Sequence, residues 1–142
     1  MSIQAVKGVE IGEGFALAGL RGSEAHDEIV GDEGGLHRTT NRAGGIEGGV
    51  SNGEEVFLRC AMKPLPTLMR PLQTVDLATG EAAEALVERS DTAAVEALAV
   101  VAEAAVAFEL ARAAREKFGG DAIGDFVAAN NAFLERIDWS PR

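Results

Sequence analysis

The sequence predicts an α+β fold in which antiparallel strands and hairpins come first and helices come last. Three stretches carry this reading. "VFLRCAMK" (56–63) is a bulky, apolar run without a breaker and reads as a strand. "QTVDL-ATG-EAAEAL" (73–86) reads as a hairpin turning over its Ala-Thr-Gly, although its alanines also suit a helix start. From position 92 to 118 the pattern becomes helical and stops at Gly119-Gly120, and a second amphipathic helix follows over about 124–137.

The remaining elements follow in order. Residues 3–11, "IQAVKGVEI", carry β-branched residues between glycines and read as extended. Residues 15–20 suit a short helix. Positions 31–53 hold eight of the 17 glycines and read as loop-rich. Asn52-Gly53 is the preferred pair for a two-residue hairpin turn, so 46–51 and 56–63 are expected to pair across it. "KPLPTLMRP" (63–71) has three prolines in nine residues, which suits a stiff extended loop and neither a helix interior nor a central strand. Asp91 is a good N-cap for the long helix, and Lys117 in its last turn suits the helix dipole. Glu96 and Glu103 share one face of that helix, whereas Glu109, Arg112 and Glu116 lie roughly opposite. Such a helix is expected to pack on several sides, its alanines allowing close approach.

Composition narrows the class. The 142 residues suit one modest domain, and 46% of them are hydrophobic, enough for a core. The single cysteine, Cys60, excludes an internal disulfide framework, fits a reducing compartment such as the cytoplasm, and suits core packing. No signal-peptide pattern follows Met1. The most apolar stretch, "VEALAVVAEAAVAFELARAA", is broken by Glu96, Glu103, Glu109 and Arg112, so no membrane helix is expected. A net charge of −10 argues against a nucleic-acid surface. From 56 to 75, however, the charged residues are Arg59, Lys63 and Arg70, all basic. That local cationic segment suits a small anion, or is simply solvated.

"NRAGGIEGGVSNGEE" (41–55) puts five glycines into fifteen positions. A flexible linker is excluded by the strand-like sequence on either side. The stretch matches neither G-x-x-x-x-G-K-[ST] nor a G-x-G-x-x-G that opens a helix. Tight turns, or a backbone that approaches a ligand, remain. Elsewhere, His26-Asp27 in "AHDE" reads as a solvated loop in preference to a base pair, and His37 likewise. Two histidines and one cysteine without ligand spacing argue against a metal site. No Ser-His-Asp or G-x-S-x-G arrangement is present.

The order of the motifs adds a stronger signal. "MSIQAVKGVEIGEGF", "GSEAHDE", "TNRAGGIEGGVSNGE", "AMKPLPT", "TVDLATGE", "ERSD" and a helix ending "EKFGGD" follow one another over positions 1–121. Together they resemble the C-terminal half of the chorismate synthase family. The resemblance implies a single, incomplete domain over 1–142, part of that family's β-α-β sandwich and homotetramer. It implies an anti-1,4 elimination of phosphate from 5-enolpyruvylshikimate 3-phosphate (EPSP), giving chorismate in the shikimate pathway of aromatic amino-acid biosynthesis. Reduced FMN is the implied cofactor, and an NADP-linked flavin reductase a possible partner.

Site roles are implied residue by residue. Gly48 lies against the flavin, Gln4 and Ala5 touch it, and Lys63, Pro64, Leu65, Pro66 and Thr67 line its site. Arg89 meets the flavin or the anionic substrate. Asp91 manages the proton near flavin N5, as the catalytic residue and the helix cap together. After "RSD" the chain departs from the family's Val-Pro-Ala turn, with Val95, Glu96 and Ala97 in its place. The family's two catalytic histidines and most of its substrate-gripping arginines belong to the N-terminal half. The chain is therefore expected to be a fragment, an alternative start or a truncated reading frame, inactive alone. Its rivals are a non-catalytic flavin-binding or oligomerisation remnant, and a generic glycine-rich anion-binding protein.

Overall fold

The computed structural model describes residues 1–32, 35–88 and 93–137. Its strands are β1 (Val6–Ile11), β2 (Ile29–Asp32), β3 (Gly35–Arg38), β4 (Ile46–Glu47), β5 (Val50–Ser51), β6 (Leu58–Met62), β7 (Gln73–Val75) and β8 (Ala82–Glu84). A 3₁₀ turn (Gly14–Gly19) and the one-turn helix α1 (Gly22–Ala25) lie between β1 and β2. Helices α2 (Val95–Phe118) and α3 (Ile123–Ile137) close the order. The fold is the expected α+β: strand pairs, then two helices.

The strands pair as β1-β6, β2-β3, β4-β5 and β7-β8. The β7-β8 hairpin is the one read from sequence. Asp76 nucleates its turn by accepting the Ala78 and Thr79 amides at 2.7 and 3.0 Å, and those bonds hold its carboxyl below the ordinary range. The expected hairpin between 46–51 and 56–63 does not form. Within 46–51 the chain turns on itself: Ile46 pairs with Ser51 and Glu47 with Val50, leaving Gly48 and Gly49 as a two-residue loop with φ +57° and +77°. A loop with both residues left-handed is the turn that matches strand twist, and Gly-Gly adopts it without steric cost. Asn52 is used differently. Its amide donates to the Gly45 carbonyl at 3.0 Å, and its side chain accepts the Glu54 amide at 3.0 Å. β6 is thereby released to pair with β1. The β4-β5 hairpin, β3 and the end of β2 thus lie within the stretch read as loop-rich.

The chain divides into two units, Met1–Gly8 with Cys60–Ala102, and Val9–Arg59 with Glu103–Arg142. The first holds the buried apolar side chains, Val6, Leu98 and Ala102. The second is buried around backbone: Gly12, Gly44 and Gly45, with one carboxylate, Asp27. A Cβ on Gly44 would stand 2.3 Å from the Gly12 nitrogen and 2.9 Å from the Phe57 oxygen. The strand, the glycine stretch and the start of β6 therefore meet backbone to backbone. Gly12 donates to the Phe57 carbonyl at 3.0 Å and Glu13 to the Arg42 carbonyl at 2.8 Å.

The helices differ from expectation in two ways. The Leu98 amide donates to the Ala94 carbonyl at 3.0 Å, which makes Ala94 the N-cap and starts α2 three residues later than read. Asp91 lies outside the described residues. Glu96 falls in the first turn, where an N–H has no helical partner; a proline or a glutamate is tolerated there, and the acid suits the dipole. The departure from the family's Val-Pro-Ala thus leaves this turn helical. Second, α2 is not packed on several sides. Among its residues Leu98 and Ala102 are buried, while Val100, Val101, Phe108 and Leu110 are exposed. The Gly119 amide closes the helix on the Arg115 carbonyl at 2.8 Å. Phe118 then meets Phe126 and Phe133 of α3 edge-on, at ring separations of 5.7 and 5.6 Å.

The two kinds of glycine should separate by mutation. Gly44→Ala drives a methyl into backbone and should cost ~3 kcal/mol or more. Gly48→Ala meets no atom and should cost only the left-handed strain, ~1–2 kcal/mol. The shift in urea midpoint reads both.

Candidate functional site

In the first unit the structure joins two of the segments singled out in the sequence. The Lys63 amide donates to the Ala5 carbonyl at 2.8 Å, just past the end of β6. Ala5 has φ +66°, the one left-handed non-glycine residue among those described. An alanine gains nothing from that conformation and is strained by ~1–2 kcal/mol. The surrounding hydrogen bonds impose it: the Val6 amide turns back to the Ile3 carbonyl at 3.2 Å while Lys63 takes the Ala5 carbonyl. Gln4 beside it is exposed. Beyond Lys63 the chain runs without regular structure through exposed Pro64, Leu65 and Pro66 to half-buried Thr67. Fixed proline φ angles keep this loop off the helix and the ladder. Immediately downstream opens a hollow of about 750 Å³ lined by Leu68, Met69, Arg70, Leu72, Gln73 and Glu84.

The cationic segment splits in two. Arg59 is held by Glu10 at 2.6 Å, so its charge is answered within the chain. Lys63 and Arg70 are exposed, and neither forms an ion pair among the described residues. An exposed ammonium beside a fixed backbone edge suits a small anion.

Gly48 belongs to the second unit, at the β4-β5 turn, where a Cβ would meet no atom of the described residues. Within the chain, the turn alone demands a glycine there. Arg89 and Asp91 lie outside the described residues.

The residue that the sequence misjudged is Asp27. It is not part of a solvated loop: it is 9% exposed and both of its oxygens are used. Oδ1 accepts the Thr40 hydroxyl and the Arg42 amide (2.8 Å), and Oδ2 accepts the Ala43 amide (2.9 Å). Asn41 continues the work, accepting the Gly45 amide and donating to the Glu55 carbonyl, both at 2.8 Å. Arg38 reaches from β3 to Glu47 and toward the Asn52 carbonyl, which ties the β4-β5 hairpin at its base. Burial pushes the Asp27 carboxyl up, but the Thr40 hydroxyl, the Ala43 and Arg42 amides and the Arg42 charge outweigh it and hold the carboxyl below its ordinary value. One sequence signal was available: "TTNRAGG" carries amides that no ladder serves, and unserved buried amides require an acceptor from elsewhere.

Known proteins decide the family. The family model described as chorismate synthase matches residues 1–114. The chain belongs to the chorismate synthase family. It is 59% identical over 137 residues to a chorismate synthase of Corynebacterium efficiens, covering 96% of this chain and 34% of that protein. A chorismate synthase of Desulforudis audaxviator is 60% identical over 138 residues, with 96% and 35% covered. A chorismate synthase crystal structure superimposes with a TM-score of 0.75 at 40% identity, over 96% of this chain and 34% of that one. The chain thus spans about a third of the length of the relatives it matches. Among the described residues no group of three or more His, Cys, Asp or Glu is placed to hold a metal, and no helix is long and apolar enough to cross a membrane.

The strain at Ala5 gives a direct check. Ala5→Gly should be neutral or stabilise by up to ~1 kcal/mol, where an ordinary strand position would lose ~0.5–1 kcal/mol. Ala5→Val, β-branched in the left-handed region, should be clearly destabilising. Urea unfolding of the three forms ranks them.

Proposed function

We propose that this chain carries the flavin-binding part of a chorismate synthase, the enzyme that eliminates phosphate from EPSP to form chorismate. The observation that carries the reading is the Ala5–Lys63 bond, which makes one edge of two segments that the family uses at its flavin. Reduced FMN, when bound, supplies an electron-rich ring for an elimination that leaves no net oxidation. Lys63 offers its exposed ammonium to the cofactor's anionic groups, the Pro64 and Pro66 backbone holds the loop, and Thr67 belongs to its lining. Gln4, Ala5 and Leu65 furnish contact surface, and Gly48 keeps a bare turn for a flat ring. Arg89 answers substrate or flavin charge, and Asp91 holds or moves the proton at N5. Reduced flavin reaches the enzyme from a reductase or from the enzyme's own use of NADPH.

Turnover by this chain alone is not expected. The resemblance implies that the family's two catalytic histidines belong to the N-terminal half, and a single general acid–base group contributes roughly 10²–10⁴-fold. Without a substrate clamp, orientation is lost as well. The exposed face of α2 favours a second, compatible role as packing surface for the remainder of the enzyme or for further subunits, as in the family's homotetramer.

Anaerobic titration tests the cofactor half of the proposal. The chain should bind FMN weakly and more tightly when the flavin is reduced. Lys63→Ala should weaken binding roughly tenfold, the scale of one charge-assisted hydrogen bond. Gly48→Asn keeps a residue tolerant of the left-handed turn but adds a side chain, and should abolish binding while circular dichroism stays unchanged. Unaltered FMN affinity in both variants would overturn the site. An assay with EPSP, FMN and dithionite should show no chorismate from the chain alone; turnover that is lost in Asp91→Asn would overturn the division of labour.

A further inference from the structure

We propose that Asp27 is the positioning residue of the glycine hairpin, and that its carboxylate fixes where the turn bearing Gly48 is presented. The inference rests on the reading above that Gly48 faces the flavin. It begins from a peculiarity of the second unit, in which no large apolar side chain is buried among the described residues. Segment 39–45 has no strand partner of its own, yet Gly44 and Gly45 are buried. Something other than apolar packing must hold it, and Asp27 contributes three bonds across 13 to 16 positions of sequence.

The bonds act in series. Asp27 sets Arg42 and Ala43. From there Gly44 is pressed against Gly12, and the Gly44 amide turns to the Asn41 carbonyl at 3.1 Å. Gly45 is held by the Asn41 side chain, and Ile46 enters β4 directly afterwards. The two-residue loop that follows has no slack of its own, because its register is fixed by the Ile46–Ser51 and Glu47–Val50 pairs. The position of Gly48 is therefore inherited from the anchor at Asp27. Both carboxylate oxygens accept amides, so a neutral replacement that donates a hydrogen must break at least one of these bonds.

The charged groups around the anchor are few. Arg42 faces Asp27, and its guanidinium is drawn off by Glu13 at 3.7 Å. His26 and Glu28 flank Asp27 in sequence and are exposed. The anchor should therefore act as an acid-labile latch. Its folded-state pKa is lowered, so the stabilisation is complete above the ordinary carboxylate pKa of 3.8 and is lost as pH falls below it.

Hydrogen exchange read by mass spectrometry on the 142-residue chain tests this, together with anaerobic titration of reduced FMN. In Asp27→Asn, protection of the peptide covering 41–51 should fall roughly tenfold or more, the scale of a broken buried hydrogen bond to a charged group. The β7-β8 peptide should keep its protection, and FMN affinity should fall in parallel with the 41–51 peptide. Thr40→Val removes one donor and keeps the charge, and should give a smaller loss in the same peptide. Unchanged 41–51 protection in Asp27→Asn would overturn the inference. Lost protection with unchanged FMN affinity would leave Asp27 as the anchor but overturn the placement of Gly48 at the flavin. Should Asp27→Asn unfold everywhere, Thr40→Val and a pH series on the parent decide: loss in 41–51 ahead of β7-β8, after correction for intrinsic rates, supports the anchor, and simultaneous loss contradicts it.

Discussion

The backbone crossing of Gly12 and Gly44 is the constraint on which the second unit depends. Two segments of the chain meet there with no room for a Cβ on either, and the nearest atoms are all backbone. Close backbone approach yields little hydrophobic free energy, so hydrogen bonds must hold it, and a buried amide left without a partner would cost ~1–3 kcal/mol. Asp27 and Asn41 meet that demand from the side-chain end, and the Phe57, Arg42 and Asn41 carbonyls meet it from the backbone end. The glycines of 41–55 therefore have two separate reasons to exist. Gly44 is there because another backbone is in the way of any side chain. Within the chain, Gly48 is there because a two-residue loop needs a left-handed conformation.

The apolar half of the ledger is elsewhere, and it is incomplete. A folded monomer of 14.8 kDa exposes about 7000 Å² by the usual surface scaling. This chain exposes 11291 Å², and the buried apolar residues among those described are Val6, Leu98 and Ala102. Phe15, Phe108 and Ile123 stand 81%, 69% and 80% exposed. Exposed apolar area of that extent marks surfaces that another body covers. The relatives it matches are about three times as long.

What was legible in the sequence follows the range of the signals. The end of α2 at Gly119, the turn of the β7-β8 hairpin and the proline loop are set by neighbours within four residues, and each was read where it stands, whereas the start of α2 was read three residues early. The pairing of β6 with β1 joins residues about fifty apart, and no local pattern announces it. The turn was assigned to Asn52-Gly53 because that pair has the stronger hairpin preference; Gly48-Gly49 took it because only there do the flanking residues pair in register. Asp27 was missed because its partners lie 13 to 16 residues away. The packing of α2 was overread, since alanine spacing states that a helix can be approached closely but not that this chain supplies the neighbour. Of the site, the Gln4-Ala5 and 63–67 segments came from the resemblance, and their junction through the Ala5 carbonyl is visible only in three dimensions.

The central claim is that hydrogen bonds hold this chain's glycine crossing while its apolar faces wait for a partner. Sedimentation velocity over a hundredfold range of concentration tests it most directly. The account predicts self-association that grows with concentration and shrinks when Val100, Val101 and Phe108 on α2 are replaced by polar residues. A monomer at every concentration, unfolding cooperatively with the stability of an ordinary domain, would contradict it.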